Sequence, residues 1–211
     1  MNNERLIYAV VPVKDPASGK SRLASVLDAV DRRALCASLA RHTLRTCAAA
    51  FGPARTIVVT ASAEIADFAG RAGIPFVHEA DEAGLNAALA LGADRAQREG
   101  AGALLVVPTD LPLLTKEALH AVADALPGGA GVVLVPDRHE SGTNVMALAP
   151  ARKDLFAFGE GSFRRHASLA RQAGCDVRIH RDKALGLDLD LAEDYFAWTG
   201  RRRTLEAGQA A

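Results

Sequence analysis

Apolar residues along the chain follow two rhythms. Short runs dominated by Val, Ile and Leu recur at "LIYAVVPV" (6–13), "RTIVVTA" (55–61), "PFVHE" (75–79), "ALLVVPTD" (103–110), "GVVLVPD" (131–137), "NVMALAP" (144–150) and "DVRIHR" (176–181). Several are apolar almost throughout, as strands covered on both faces are. Between them lie longer Ala- and Leu-rich segments with helical spacing. This alternation predicts an α/β fold in which helices cover both faces of a sheet.

The helix boundaries follow from capping chemistry. Asp31 is the expected N-cap of a helix over 31–50, in which Leu35, Leu39 and Leu44 fall near helical spacing. Ser62 is expected to open a second helix and Gly73 to close it. Two more are predicted over 85–98 and 116–126, the latter capped by Thr115, and another from Ser162 to about Ala173. "AEDYFAWTG" suggests a last helix, after which "RRRTLEAGQAA" (201–211) is expected to fray. No repeat or linker interrupts the pattern, so residues 1–211 are read as a single domain.

Composition narrows the function. Lys plus Arg and Asp plus Glu are both 25, which disfavours a chain that lives on the nucleic-acid backbone. Cys36, Cys47 and Cys175 form neither a C-x-x-C pair nor an even set, so a zinc site and a disulfide framework are both disfavoured and a reducing cytoplasm fits. The six histidines show no H-x-x-x-H or H-E-x-x-H grouping, and there is no G-x-S-x-G elbow. The N-terminal apolar run is too short for a membrane span and lacks a signal peptide's basic flank.

The segment "VVPVKDPASGKSRL" (10–23) contains "GKS", yet Lys14 stands where a Walker phosphate loop requires glycine. What the segment offers instead is three cations, Lys14, Lys20 and Arg22, just past the first strand. In open α/β sheets ligands bind beyond the carboxyl ends of the strands. The same rim collects Asp110 in "PTDLPLL", the loop "PDRHESGTN", and Asp188 and Asp190 in "GLDLD". Cations facing two or three carboxylates suit metal-dependent nucleotidyl transfer. The positive groups lower the repulsion between a triphosphate and an anionic acceptor, and Mg²⁺ needs only one or two protein carboxylates. Each feature also has a plain reading: solvated surface cations, a turn-forming Asp110, and a polar-out alternation at 188–190.

Further residues extend the list. In "FGEGSFRRH" (158–166), Gly159 and Gly161 allow close backbone approach and Ser162 sits at a helix start, where free N–H groups attract anions. Thr143 offers a hydroxyl donor, or is only a turn residue. Gly84 and Asn86, at a loop-to-helix junction after Asp81 and Glu82, place an amide where a base edge could be read, or simply mark a helix N-terminus.

"PVK…GKSRLASVL", "VVPTDLPLL", "DRHESGTN", "FGEGSFRRH" and "LGLDLDLAEDY" together resemble, in order and over nearly the whole chain, the guanylyltransferase family of deazaflavin coenzyme F(420) biosynthesis. The resemblance implies a GT-A-like Rossmann three-layer sandwich with a mostly parallel mixed sheet, joining GTP to a phosphorylated three-carbon acid with release of pyrophosphate. It implies Asp110 and Asp188 as Mg²⁺ ligands supported by Asp190, and Thr143, Gly159 and Ser162 as acceptor contacts. Lys14, Lys20 and Arg22 then surround the GTP phosphates, and Gly84 with Asn86 lie near guanine. Family acceptors are 2-phospho-L-lactate, phosphoenolpyruvate and 3-phospho-D-glycerate. The Ala- and Arg-rich composition points to a GC-rich bacterial source, and so toward phosphoglycerate. The product would pass to a deazaflavin transferase, leaving room for transient contact with it, and a sheet-edge homodimer is compatible with the fold. The alternatives are another nucleotidyltransferase, such as a molybdenum-cofactor guanylyltransferase, and a silent nucleotide-binding module.

Overall fold

The computed structural model describes residues 5–79 and 84–208, with side chains to residue 200. Seven strands form one sheet: β1 (Ile7–Val13), β2 (Thr56–Thr60), β3 (Phe76–His78), β4 (Ala103–Val106), β5 (Gly131–Pro136), β6 (Thr143–Ala149) and β7 (Asp176–Ile179). Their spatial order is β3-β2-β1-β4-β6-β5-β7. Every neighbouring pair is parallel except those of β6, which runs against β4 and β5. The sheet is therefore mostly parallel and mixed, and the C-terminal ends of β1, β4 and β5 share one rim with the N-terminal end of β6.

The alternation of side chains along each strand builds two cores. Ala9, Val11 and Val13 of β1 face α1 (Ala29–Phe51), α2 (Ala63–Arg71) and α4 (Lys116–Asp124), packing with Leu44, Ile65 and Leu119. Tyr8 and Val10 point to the other face, where α3 (Leu85–Arg98) and α5 (Ser162–Gln172) contribute Leu89, Ala93, Ala167 and Ala170. Helix α3 lies so close to the sheet that a Cβ on Gly92 would collide with Val10 and Val59. Strands β2, β4, β5 and β6 are buried along their whole length, as their unbroken apolar runs require.

Several boundaries differ from expectation. The N-cap of α1 is Asp28 rather than Asp31; the Asp28 side chain accepts the N–H of Asp31, which sits inside the first turn where an acidic group also favours the helix dipole. Ser62 is the N-cap of α2 as expected, but its hydroxyl makes no cap bond, and its own N–H goes to Thr60 Oγ1. Thr115 caps α4 by accepting from Ala118 N. Ser162 is not a cap: left-handed Gly161 (φ 68°) takes that place, and Ser162 is the first helical residue. The last helix, α6 (Ala192–Gly208), continues past residue 200. Residues 209–211, and Asp81 and Glu82, lie outside the described residues. Among the described residues no helix is long and apolar enough to cross a membrane.

Candidate active site

Two concavities meet on the rim. One, of about 420 Å³, is walled by Thr143, Asn144, Ser162 and Asp188; the other, of about 600 Å³, by Lys14, Lys20 and Cys36. Both are lined by Arg22, Leu85, Asp110, Gly159 and Asp190, so they form two lobes of one cleft with the carboxylates at the junction.

The three aspartates converge. One carboxylate oxygen from each of Asp110, Asp188 and Asp190 lies within 4.8 Å of the others, and among the described residues this is the one group of three or more such ligands. Asp110 follows β4 through a Pro-containing turn, and its carbonyl accepts from Leu189 N (3.0 Å), which lashes the 187–190 segment alongside. That segment belongs to no strand, but its burial alternates: Leu187 and Leu189 are buried and Asp188 and Asp190 line the cleft. The side chain of Asp194 accepts from Asp190 N (3.1 Å) and Leu191 N (2.7 Å) and is itself held by Arg138 (2.7 Å). Asn144 donates to Leu185 O (2.8 Å), and the same nitrogen lies 3.5 Å from Asp188 Oδ1. Burial, with the charges of Asp110 and Asp190 added to it, pushes the Asp188 carboxyl up to about 6.

Such crowding of negative charge calls for a cation, and a cation of the chain is there. Lys20, in the left-handed conformation (φ 55°), extends its ammonium to Asp190 Oδ1 (2.8 Å) and Asp110 Oδ2 (3.3 Å). Burial alone lowers the Lys20 pKa, but the two carboxylates outweigh it, so the ammonium is held above its ordinary value. Opposite ligands of Mg²⁺ lie ~4.2 Å apart, at ~2.1 Å per bond. The carboxylate oxygens are within reach of that arrangement, so the donor set fits a small hard divalent ion. The sequence expectation placed Lys20 against triphosphate; with no nucleotide bound, its partners are the carboxylates. Lys14 and Arg22 are exposed at the cleft and have no carboxylate partner among the described residues.

The other lobe is built from hydrogen bonds to backbone, hydroxyl and ring groups rather than from ion pairs. Asp137, at the end of β5, accepts from His139 N, Ser141 N and Gly142 N and so folds the turn that delivers Thr143. Thr143 N donates to Ser162 Oγ (3.0 Å), and Thr143 Oγ1 lies 2.9 Å from His166 Nδ1. The opposite ring nitrogen, Nε2, accepts from Ala157 N (3.0 Å). His166 is fully buried against Phe158, which with Arg165 near it holds its pKa down to about 4. Asn86 does not line the cleft. Its amide donates to Phe158 O and accepts from Phe158 N, bracing the loop that carries Gly159. Gly84, the N-cap of α3 at φ 93°, also stands off the cleft wall, whereas Leu85 between the two lines both lobes.

Thus the structure brings Lys20, Arg22, Asp110, Thr143, Gly159, Ser162, Asp188 and Asp190 onto one cleft with Lys14 at its edge, while Gly84 and Asn86 flank Leu85, which lines it. Sequence reasoning missed Asp137, Asn144, His166 and Asp194. Asp137 and Asn144 do carry a signal, since both sit at strand ends on the informative rim. His166 and Asp194 act through neighbours and carry none.

Residues 7–197 match the family model described as "Guanylyl transferase CofC like". The chain is 41% identical over 186 residues to phosphoenolpyruvate guanylyltransferase of Sphaerobacter thermophilus, covering 88% of this chain and 89% of that one. It is 30% identical over 194 residues to 2-phospho-L-lactate guanylyltransferase of Methanothermobacter thermautotrophicus, covering 88% and 81%. Among solved structures, a nucleotidyl transferase from Methanothermobacter superposes with a TM-score of 0.70 at 18% identity, covering 94% of this chain and 98% of that one.

Proposed function

The chain belongs to the CofC-like guanylyl transferase family and is a nucleotidyltransferase; from that premise we propose that it transfers a guanylyl group from GTP to a phosphorylated three-carbon acid, phosphoenolpyruvate first among them. The observation that carries the proposal is the junction of three carboxylates and a lysine between a cation-rimmed lobe and a hydroxyl-lined one. The preference for phosphoenolpyruvate rests on the relative at 41% identity. The sequence-based leaning toward 3-phospho-D-glycerate finds no support among the relatives' names.

The triphosphate lies in the larger lobe, where Arg22 and Lys14 have charge to spare. Asp110 and Asp188, with Asp190, would hold a divalent ion. Magnesium held there would supply neutralisation of the charge on the phosphates. Lys20 then exchanges its carboxylate partners for phosphate. The acceptor's carboxylate is held at the Thr143–Ser162 end by their hydroxyls, leaving its phosphate toward the junction. One of its oxygens attacks the α-phosphorus, a new P–O bond forms, and the bond to the β-phosphate breaks as pyrophosphate leaves. No protein base is required, because a phosphate monoester with a second pKa of ~6 is mostly dianionic at neutral pH.

The test is direct. The protein is incubated with Mg²⁺, each acid in turn and GTP, CTP or ATP, and products are identified by mass. GTP with phosphoenolpyruvate should give the guanylyl adduct and pyrophosphate at the highest rate. A preference for CTP or ATP, or no adduct with any of the three acids, would sink the proposal.

A further inference from the structure

His166 is buried, lies outside the charged cluster and plays no part in the chemistry set out above. Its hydrogen bonds nevertheless dictate what the acceptor lobe presents. A backbone N–H can only donate, so the bond from Ala157 N fixes His166 Nε2 as an acceptor without a proton. In the neutral ring the proton is then on Nδ1, and Nδ1–H donates to Thr143 Oγ1 at 2.9 Å. Thr143 Oγ1 has that donor and, among the described residues, no protein acceptor for its own hydrogen. Thr143 lines the smaller lobe, which is where that hydrogen can go. The neighbouring Ser162 Oγ is in the same state, since it accepts from Thr143 N.

We infer that His166 is a positioning residue for the acceptor: by donating to Thr143 Oγ1 it turns the Thr143 hydroxyl into a donor aimed at an anionic oxygen of the phospho-acid. The inference rests on the proposed placement of the acid in this lobe. It explains why a histidine is kept dry and neutral beside a substrate pocket. A protonated ring would lose the Ala157 bond, because Nε2 would then carry a hydrogen facing another hydrogen. The lobe thus selects ligands that bring acceptor oxygens, such as carboxylate, over those that bring only N–H donors.

Two conservative substitutions separate this role from a packing role. In His166→Gln a side-chain oxygen takes the place of Nε2, which keeps the Ala157 bond and loses the donor to Thr143. In His166→Asn a side-chain nitrogen takes the place of Nδ1, which keeps the donor and loses the Ala157 bond. The charge-assisted hydrogen bond at stake predicts that His166→Gln raises the KM for the acid by about tenfold, with the KM for GTP unchanged. His166→Asn should keep the acid KM near that of the unsubstituted protein while melting at a lower temperature. Thr143→Val should raise the acid KM by at least about tenfold, Thr143→Ser should restore it, and adding His166→Gln to Thr143→Val should change it no further. Equal acid KM values for the Gln and Asn variants, or a full His166→Gln effect in the Thr143→Val background, would overturn the role of His166 alone. An acid KM unmoved by Thr143→Val would place the acid elsewhere, and so overturn the acceptor-lobe reading and the role of His166 together.

Discussion

Where the three carboxylates meet, the cleft is held by full charges on partly exposed side chains: Lys20 spans Asp110 and Asp190, and the Asp190 side chain is 45% exposed. In the acceptor lobe, by contrast, Thr143, Ser162 and His166 are all buried and are joined by neutral hydrogen bonds. Charge pairs in contact with water can trade partners at small cost, because solvent and incoming phosphate replace what is lost. A buried neutral network cannot, since each group left alone there costs about 1–3 kcal/mol. One lobe is therefore suited to rearranging when ligands arrive, and the other to holding a fixed shape.

The largest test strikes the charged lobe. Asp188→Asn or Asp110→Asn removes a ligand of the proposed cation and should lower pyrophosphate release by about 10³-fold or more, on the scale at which single electrostatic groups act in such sites. The fold should survive. Asp188→Asn relieves like-charge crowding on a group whose pKa is already pushed up to about 6, so thermal melting should hold or rise. Full activity in both variants would show the metal assignment to be wrong.

Acid should then pull the two lobes in opposite directions. His166 has a folded pKa of about 4 against an ordinary 6.5, so between these values the unfolded chain takes up a proton that the folded protein refuses. Its contribution to stability is fully present above pH 6.5 and is lost as pH falls toward 4, by about 3 kcal/mol. Asp188 behaves inversely. Its folded pKa of about 6 exceeds the ordinary 3.8, so between these values the folded protein binds the extra proton and is favoured as pH falls. The Asp188 carboxyl faces the open cleft, where water screens it, and its effect should be the smaller. Urea unfolding with chelator present should show stability declining from pH 6.5 to 4, and declining more steeply in Asp188→Asn. A flat profile in that variant would contradict the buried neutral His166.

The same contrast governs what could be read without coordinates. Asp110 and Lys20 are legible because charged residues in the loops after apolar runs stand out and parallel strands carry their ends to one rim, and Asp188 because the alternation in "LDLD" sets two carboxylates on one side. The network around His166 is not, since it joins residues 23 positions apart through uncharged contacts that leave no periodic trace. Asn86 hides a second task for a related reason: its partner, Phe158, is 72 residues away, so nothing nearby in sequence shows that the amide also braces a loop. The strands were visible in their apolar runs. That β6 lies between β4 and β5, antiparallel to both, was not, because strand order is decided by packing between distant segments. The shift of the α1 cap from Asp31 to Asp28 is a smaller instance, where two aspartates three apart compete and only one has the extended backbone a cap needs.

The smallest effect probes whether the charged lobe truly exchanges partners. If Lys20 stands where a divalent ion would bind, then in the free protein its ammonium competes with that ion for Asp110 and Asp190. Replacing it by an uncharged side chain of similar length, Lys20→Met, should therefore strengthen cation binding in the absence of nucleotide. The bare Coulomb energy of such a pair near a surface is about 4 kcal/mol, and exposure of Asp190 reduces it, so a gain of about tenfold in affinity is expected. Mn²⁺ serves as the probe, with free ion counted by electron paramagnetic resonance, a readout that does not depend on turnover. Lys14→Met is the control. Lys14 makes no contact with the carboxylates, so its loss should leave Mn²⁺ binding unchanged while weakening GTP. Guanylyl transfer should nevertheless fall in Lys20→Met, because the lysine that yields the carboxylates is the one that next meets the triphosphate. Tighter Mn²⁺ binding together with slower transfer is a pairing that a lysine serving only the phosphates, or only the fold, would not produce.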